Sequence, residues 1–462
     1  GPGHVEMDGV GWWEEFGSLS QELTGAANGA EIVAVGVSGM GPCVLLTDGN
    51  GTPVRKAILY GVDTRATEQI ERQTQRFGAE SIVARCGSAL STQAVGPKIA
   101  WVAENEPAAY AKARRLFMPS SWLAYQLTGE YVLDHHSASQ SVPLYDSVSG
   151  EWNLPWAAQV APGIDLPELK WPGEVAGTVT RAAAESTGLP AGIPVITGTI
   201  DAWSEAISVD AQNVGDLMVM YGSTMFLVNT LPQRLTSQTL WGTVGAFKGT
   251  ANLAGGLATS GALTGWLKDL FGSADYPELL REARLSSPGA RGLLILPHFA
   301  GERTPINDPE ARGLIAGLTL SHTRGDIYRA ALEATAFGVR HNIAAMRDAG
   351  GYIGRAVAVG GGTQGGLWTQ IVSDVTGLPQ TIPSVTVGAS FGAAYLAARA
   401  VGEADIRIWN PPAAEVTPSP EVSAHYDELF DLYLETYAAT AEVSHALAAR
   451  QAAFTYSPTP AT

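Results

Sequence analysis

Three short stretches bring together residue types that could do chemistry on a hydroxyl or a phosphate: GTIDAWSEAI (198–207), YGST (221–224) and GGGTQGG (360–366). In the first, one carboxylate, Asp201, follows the apolar run PVIT and a Gly-Thr turn, where a buried strand ends and a helix begins. The carboxyl ends of strands are where open α/β sheets bind ligands, so a carboxylate there can accept a proton from a substrate hydroxyl. The competing role is helix capping, since an acidic side chain at a helix start is locally favourable. Position alone leaves the two equal. Glu205, one turn on, reads as a solvated or capping partner.

The other two turns contain no Lys or Arg. Phosphate can be gripped without lysine when successive backbone N–H groups converge on one concavity and glycine lets the oxygens come close. GGGTQGG, after a strand and ahead of a helix, suits that use; a purely conformational glycine connection is its alternative. YGST divides evenly between a phosphate turn and a plain hairpin. VITGTID, VMYGST and VAVGGGTQGG each carry an apolar strand into a turn of Gly, Thr and Ser, and three such turns can surround one anion. The lysine-based GxxxxGK[ST] loop is absent. Gly360, Gly362 and Gly365 do spell GxGxxG. The region about 20 positions further on, where a dinucleotide site places an acidic residue, reads LPQTIPS, which leaves an NAD-dependent dehydrogenase as a lesser alternative.

Such turns need a scaffold of parallel strands joined by helices, and short β-branched runs alternating with amphipathic stretches supply that pattern. Strands are expected at EIVAVGVSGM (31–40), VLLTDGNGTPV (44–54) and PVITG (194–198), with helices at 64–78, 97–107 and 119–129. LMVMYGSTMFLVNT (217–230) then reads as a hairpin that opens a second α/β unit. That unit continues through ANLAGG (251–256), a helix at 261–272, LLILPHF (293–299), a long helix at about 324–349, the strand AVAVGGG (356–362) and helices near 367–376 and 388–401. Two domains follow, 1–212 and 213–462, the second ending in a packing helix at 425–453 and a loose tail, TYSPTPAT.

Composition agrees with a large globular chain: 462 residues, 45% apolar and 16% charged, with no run of about 18 uncharged apolar residues. Forty-five acidic against 28 basic residues give a net charge of −17. That charge repels a nucleic-acid backbone and offers no basic face to anionic lipid, so neither nucleic acid nor membrane is an expected partner. A neutral small substrate fits better. Two cysteines, Cys43 and Cys86, with no CxxC and no charged-then-apolar leader, lead to the expectation of a reducing cytoplasm.

Together these segments resemble the FGGY carbohydrate kinases over essentially the whole chain, with the xylulokinase branch nearest. GLIAGLTLSHTRGDIYRAALE (313–333) fits the family's second signature at Gly313, Ile315, Gly317, Leu318, Asp326, Ile327, Ala330, Ala331, Leu332 and Glu333. GERTPINDPEARG (301–313), VAVGGGTQGGLWTQIVSDVTG (357–377) and SFGAAYLAA (390–398) also look like family segments. The resemblance implies an α/β fold of two ribonuclease H-like domains, of the actin-like ATPase superfamily, with an interdomain cleft. It implies ATP-dependent phosphorylation of a hydroxyl on a small neutral sugar or polyol, with Mg²⁺. Asp201 becomes the general base and a metal ligand; Gly222, Ser223, Thr224, Gly360, Gly361, Gly362 and Gln364 become nucleotide contacts, with Gly317 a further one. A homodimer is compatible with the family.

Three departures stand out. The family opens with a strand–turn–strand bearing Asp-Gly-Thr, and GPGHVEMDGVGWWEEF looks like the segment after it, so the first strands and phosphate turn are expected to lie outside this sequence. In the first signature region PKIAWVAENEP keeps Lys98, Trp101, Glu104 and Asn105, but the residues ahead of Lys98 do not fit. Where xylulokinases read Ser-Gly-Gln-Met-His-Gly in the sugar loop, this chain reads Ser38, Gly39, Met40, Gly41, Pro42, Cys43. Met40 and Gly41 are expected substrate contacts, with Asp63 and Arg65 of LYGVDTRA, whose groups can hydrogen-bond a polyol or form a surface salt bridge at the next helix start. Without the histidine and glutamine the acceptor is left open. A catalytically silent sugar- or nucleotide-binding protein is the alternative from another class.

Overall fold

The β-branched run after residue 215 forms the antiparallel hairpin its pattern calls for. In the computed structural model, which describes residues 3–27, 29–386 and 388–455, the strands Asp216–Tyr221 and Met225–Leu231 pair from Leu217↔Asn229 to Tyr221↔Met225. They turn at Gly222-Ser223-Thr224. Arg355–Val359 lies parallel to the first of them with Val359 opposite Met220, and Gln380–Pro383 continues the sheet in parallel. Pro412–Val416 closes that side antiparallel, while Ala251–Leu257 flanks the hairpin's other strand. Strands covered on both faces read as near-continuous apolar runs, as RAVAV does.

The 25-residue helix Arg324–Asp348 packs against Tyr276–Leu285 and Leu367–Thr376. It starts with a capping box: Asp326 accepts the Thr323 N–H at 2.8 Å, and the Thr323 hydroxyl accepts the Asp326 N–H at 3.3 Å. The last helix, Pro420–Thr455, runs past the expected span at both ends, and the tail beyond Thr455 lies outside the described residues.

Pairing is sparser in the first part of the chain. The stretch expected as a strand at 31–40 is held at only two points: Val35 bridges Val195, and Ser38–Gly39 pairs in parallel with Thr199–Ile200. Its apolar side chains still build a core, Val35 and Val37 meeting Leu127, Leu189 and Val195, with Trp13 and Phe16 against them.

The chain divides into two compact units, Gly1–Val214 with Thr230–Asn252 and Val387–Asn410, and Gly215–Asn229 with Leu253–Thr386 and Pro411–Thr462. A division at 212/213 therefore differs for two stretches, 230–252 and 387–410, which cluster with the first unit. One cause is the helix Ala389–Val401, which returns to pack on Asp201–Ser208. Gly392 permits it: a Cβ there would stand 2.7 Å from the Ser204 carbonyl carbon. A backbone approach of this kind leaves no periodic signal in the sequence.

Candidate active site

The first unit sets Asp201 at the meeting of a strand end and a helix start. Thr199–Ile200 pairs in register Ser38↔Thr199 and Gly39↔Ile200, so Asp201 and Met40 are the next residues along the two parallel strands. Asp201 is the first residue of the helix Asp201–Ser208, and its Oδ1 accepts the Ala202 N–H at 2.8 Å. Ile200, not Asp201, is the N-cap, so Asp201 supplies an exposed carboxylate in the helix's first turn rather than its cap. Desolvation by the surrounding protein raises its pKa above the usual aspartate value, with backbone N–H donors offsetting part of that rise. Glu205, on the same face, is also raised, by burial and then by the charge of Asp201.

Buried polar groups hold this corner in place. The Thr199 hydroxyl donates to Asp134 Oδ2 at 2.8 Å, and the Ser137 N–H donates to the same oxygen at 3.0 Å. Asp134 is fully enclosed, and burial pushes its pKa up to about 6. Trp203, two residues after Asp201, stacks on the His136 ring at 3.8 Å and donates to Asn252 Oδ1 at 2.9 Å. Burial drives His136 down to about 3, so it is neutral, with Nδ1 2.7 Å from the Val244 carbonyl.

The wall beside Asp201 is less polar than a sugar loop with glutamine and histidine. Met40 is half-buried, Gly41 packs on Ile200 with a Cβ position 2.7 Å from its Cδ1, and Cys43 is buried with its thiol pushed up to about 12. Lys98 is also buried; its ammonium donates to the Leu59 and Tyr60 carbonyls at 2.7 and 2.9 Å, and burial lowers it to about 8. Asp63 and Arg65, expected as substrate contacts, are committed elsewhere. Both side chains have 0% exposure and pair at 2.7 Å, Arg65 also reaching Glu6 at 2.6 Å while Asp63 accepts the Val5 N–H at 2.6 Å. They do form a salt bridge, but a buried one rather than the surface pair expected, each charge satisfied by the other.

The glycine turns of the second unit come together. Parallel pairing puts Gly360 beside Tyr221, where its φ of +93° and a Cβ position 2.7 Å from the Tyr221 carbonyl oxygen require glycine. Gly222, Ser223, Gly361, Gly362 and Gln364 then line one cavity of about 870 Å³. Its floor includes Trp368, whose indole N–H donates to Thr335 at 2.9 Å, and Tyr221, whose hydroxyl donates to Gln380 at 2.7 Å. The turn is braced from behind: Gly261 N–H donates to the Gly222 carbonyl at 2.9 Å and Ala262 N–H to that of Ser223 at 3.0 Å. Thr224 and Gly360 adjoin the cavity without lining it. Gly317 does not line it either: it ends the strand Leu314–Ala316 at φ +84°, against Gly292, and is there for its conformation.

The sequence reading missed one wall of this cavity, the helix Tyr276–Leu285, which contributes Leu280, Arg281 and Arg284. A signal existed. Asp275 precedes Tyr-Pro-Glu, and its side chain accepts the Glu278 N–H at 2.8 Å, while Leu279 and Ala283 are the buried i, i+4 pair. The turns lack basic residues, but this helix gives the cavity two.

Comparison with known proteins bears on this arrangement directly. The N-terminal domain of the FGGY family of carbohydrate kinases matches residues 1–208 and its C-terminal domain residues 217–401. The chain is 27% identical over 453 residues to the xylulose kinase of Staphylococcus epidermidis, covering 96% of this chain and 90% of that one. It is 33% identical over 426 residues to the glycerol kinase of Rhizorhabdus wittichii, covering 87% and 81%. The crystal structure of xylulose kinase from Rhodospirillum rubrum matches with a TM-score of 0.89 at 30% identity, covering 96% and 92%. The fold is accordingly the two-domain, actin-like ATPase α/β fold, the xylulose kinases among the matches support the xylulokinase-like branch, and the dehydrogenase alternative falls. The chain belongs to the FGGY family of carbohydrate kinases, phosphotransferases that act on carbohydrate hydroxyls.

Proposed function

We propose that this kinase transfers the γ-phosphoryl group of ATP to one hydroxyl of a small neutral sugar or polyol, with Asp201 as the general base. The observation that carries the reading is the placement of Asp201: an exposed carboxylate at a strand's end, beside Met40, with its pKa raised by desolvation. Desolvation makes its carboxylate a stronger proton acceptor than an ordinary aspartate. The Ala202 N–H holds Oδ1, which fixes the carboxylate's direction. Backbone amides of Ser223, Gly361 and Gly362 offset the charge of the transferring group. Asp201 would be the protein oxygen donor to a Mg²⁺ ion accompanying the nucleotide, which would supply neutralisation of phosphate charge; among the described residues no three metal-ligating side chains converge.

In this reading the first unit, which holds Asp201, binds the acceptor and the second, which holds the glycine turns, binds the nucleotide. The chain's relatives act on xylulose or glycerol by name. Met40 where a glutamine would stand removes a hydrogen-bonding side chain from beside the base, so the acceptor is held by fewer polar contacts than xylulose would be. Both cysteines are free and the substrate is ATP, which fits the cytoplasm; among the described residues no helix is long and apolar enough to cross a membrane. A homodimer is compatible with the reading. The test is a coupled ADP-release assay across ketopentoses, ketohexoses, tetritols and glycerol. At least one acceptor should raise the rate well above the ATPase background, and silence across the panel would defeat the proposal.

A further inference from the structure

The turn Gly222-Ser223-Thr224 is held by a second backbone segment, residues 258–262, at the junction of the strand Ala251–Leu257 and the helix Gly261–Leu270. Gly261 N–H donates to the Gly222 carbonyl at 2.9 Å, and the Ser260 and Ala262 N–H groups both donate to the Ser223 carbonyl at 3.0 Å. A peptide unit is planar and trans, so its C=O and N–H point in opposite directions. A grip on the Gly222 carbonyl therefore aims the Ser223 N–H away from the clasp. Ser223 lines the cavity.

The clasp has few anchors of its own. The Thr259 and Ser260 hydroxyls are buried and have no hydrogen-bond partner among the described residues. At its start it is held by one carboxylate from the segment GERTPINDPEARG. Glu302 Oε1 accepts the Ala258 N–H at 2.9 Å and the Arg303 N–H at 2.7 Å, and Oε2 stands 3.0 Å from His298 Nδ1. Thr304, two residues on, accepts the Gly256 N–H at 2.6 Å. Glu302 is itself immobilised: its backbone exchanges two hydrogen bonds with Asp308, at 2.8 and 3.0 Å, and Asp308 is tied to Tyr437 and His445 of the last helix at 2.8 and 2.7 Å. With 6% exposure, both oxygens occupied and no place in the cavity lining, Glu302 touches no nucleotide.

We infer that Glu302 is a positioning residue for nucleotide binding: by holding Ala258 it fixes the 258–262 clasp, and through the clasp the peptide plane that aims the Ser223 N–H at phosphate. The inference rests on the reading of the cavity as the nucleotide site, and the experiment separates the two. Calorimetric titration of ADP should show binding to the wild type and a roughly tenfold loss in Glu302→Ala, the span of one hydrogen bond to a charged group. KM for ATP should rise by the same factor, with the acceptor's KM within twofold. Glu302→Gln keeps an oxygen for the Ala258 N–H and turns its amide to His298, whose ring has a tautomer that accepts at Nδ1; ADP should stay within threefold. Tyr426→Phe is the control for simple destabilisation, since it deletes buried bonds to Glu333 and Arg329 in the same unit without touching the clasp, and it should leave ADP within twofold. Should the alanine variant not fold, Glu302→Asp, which keeps the charge but shortens the reach, carries the same comparison. Wild-type ADP affinity in the folded alanine or aspartate variant, or an equal loss in Glu302→Gln or Tyr426→Phe, overturns the inference and leaves the cavity a nucleotide site. No ADP binding by the wild type overturns the nucleotide reading itself.

Discussion

Replacing Gly392 by alanine puts a methyl group between the helix Ala389–Val401 and the helix that begins with Asp201. The added carbon would stand 2.7 Å from the Ser204 carbonyl carbon and 3.2 Å from its Cα, where carbon atoms settle at roughly 3.5–4.0 Å. Ser204 is buried and the contact is backbone to Cβ, so no rotamer change relieves it. The helices must part by about 1 Å to restore ordinary contact. Overpacking of this kind costs about 1–3 kcal/mol, to be read from the first transition in urea. Asp201 sits three residues before Ser204 on the same short helix and moves with it. A displacement of about 1 Å at a catalytic group costs on the order of a hundredfold in rate. The assay is acceptor-dependent ADP release, with ADP affinity measured in parallel and expected within twofold of wild type, because the cavity proposed for the nucleotide is lined by neither helix. Gly402→Ala is the control, since a Cβ there meets nothing within 4 Å. Wild-type turnover and an unshifted urea midpoint in Gly392→Ala would refute the idea that this approach positions the base.

Two further outcomes follow from the same geometry. Asp134 holds its proton in the native state up to about pH 6 against an ordinary 3.8, so its contribution to stability is complete below pH 3.8 and is lost as pH rises through about 6. That loss is roughly 3 kcal/mol, and Asp134→Asn, whose amide oxygen can still accept the Ser137 N–H, should remove it; urea midpoints that fall equally for variant and wild type between pH 4 and 7 would contradict this. Gly261→Ala would set a methyl 3.1 Å from the Gly222 carbonyl carbon and 3.4 Å from Ser223 Cα; pushing on the turn proposed to hold phosphate, it should weaken ADP by about tenfold or more, of the order of one lost hydrogen bond to a charged group, a result that unchanged calorimetric affinity would exclude.

How much was legible in the sequence depends on how local each signal was. The hairpin at 216–231 and the strand–turn at Asp201 are set by runs of a few residues, and both stand where those runs place them. The signature segment 313–333 identified the family, yet its residues build the scaffold. Asp326 caps the long helix, and Glu333 is buried, pairing with Arg329 at 2.8 Å and accepting the Tyr426 hydroxyl at 2.9 Å. Illegible were the facts that need the third dimension. Asp63 and Arg65 carry the right groups for a polyol, but only their burial shows those groups to be spent on each other. The return of residues 387–410 to the first unit depends on one close backbone approach. The helix Tyr276–Leu285 is a different case, since its cap and its apolar pair were in the sequence, though its role as a cavity wall was not.

The central claim is that the Asp201 carboxylate takes the proton from the attacking hydroxyl. Asp201→Asn keeps an oxygen for the Ala202 N–H and removes the base. Acceptor-dependent ADP release from the variant at saturating ATP should drop by about 10²- to 10⁴-fold, the usual worth of a positioned base, with ADP affinity within threefold of wild type. Turnover equal to wild type would contradict the account.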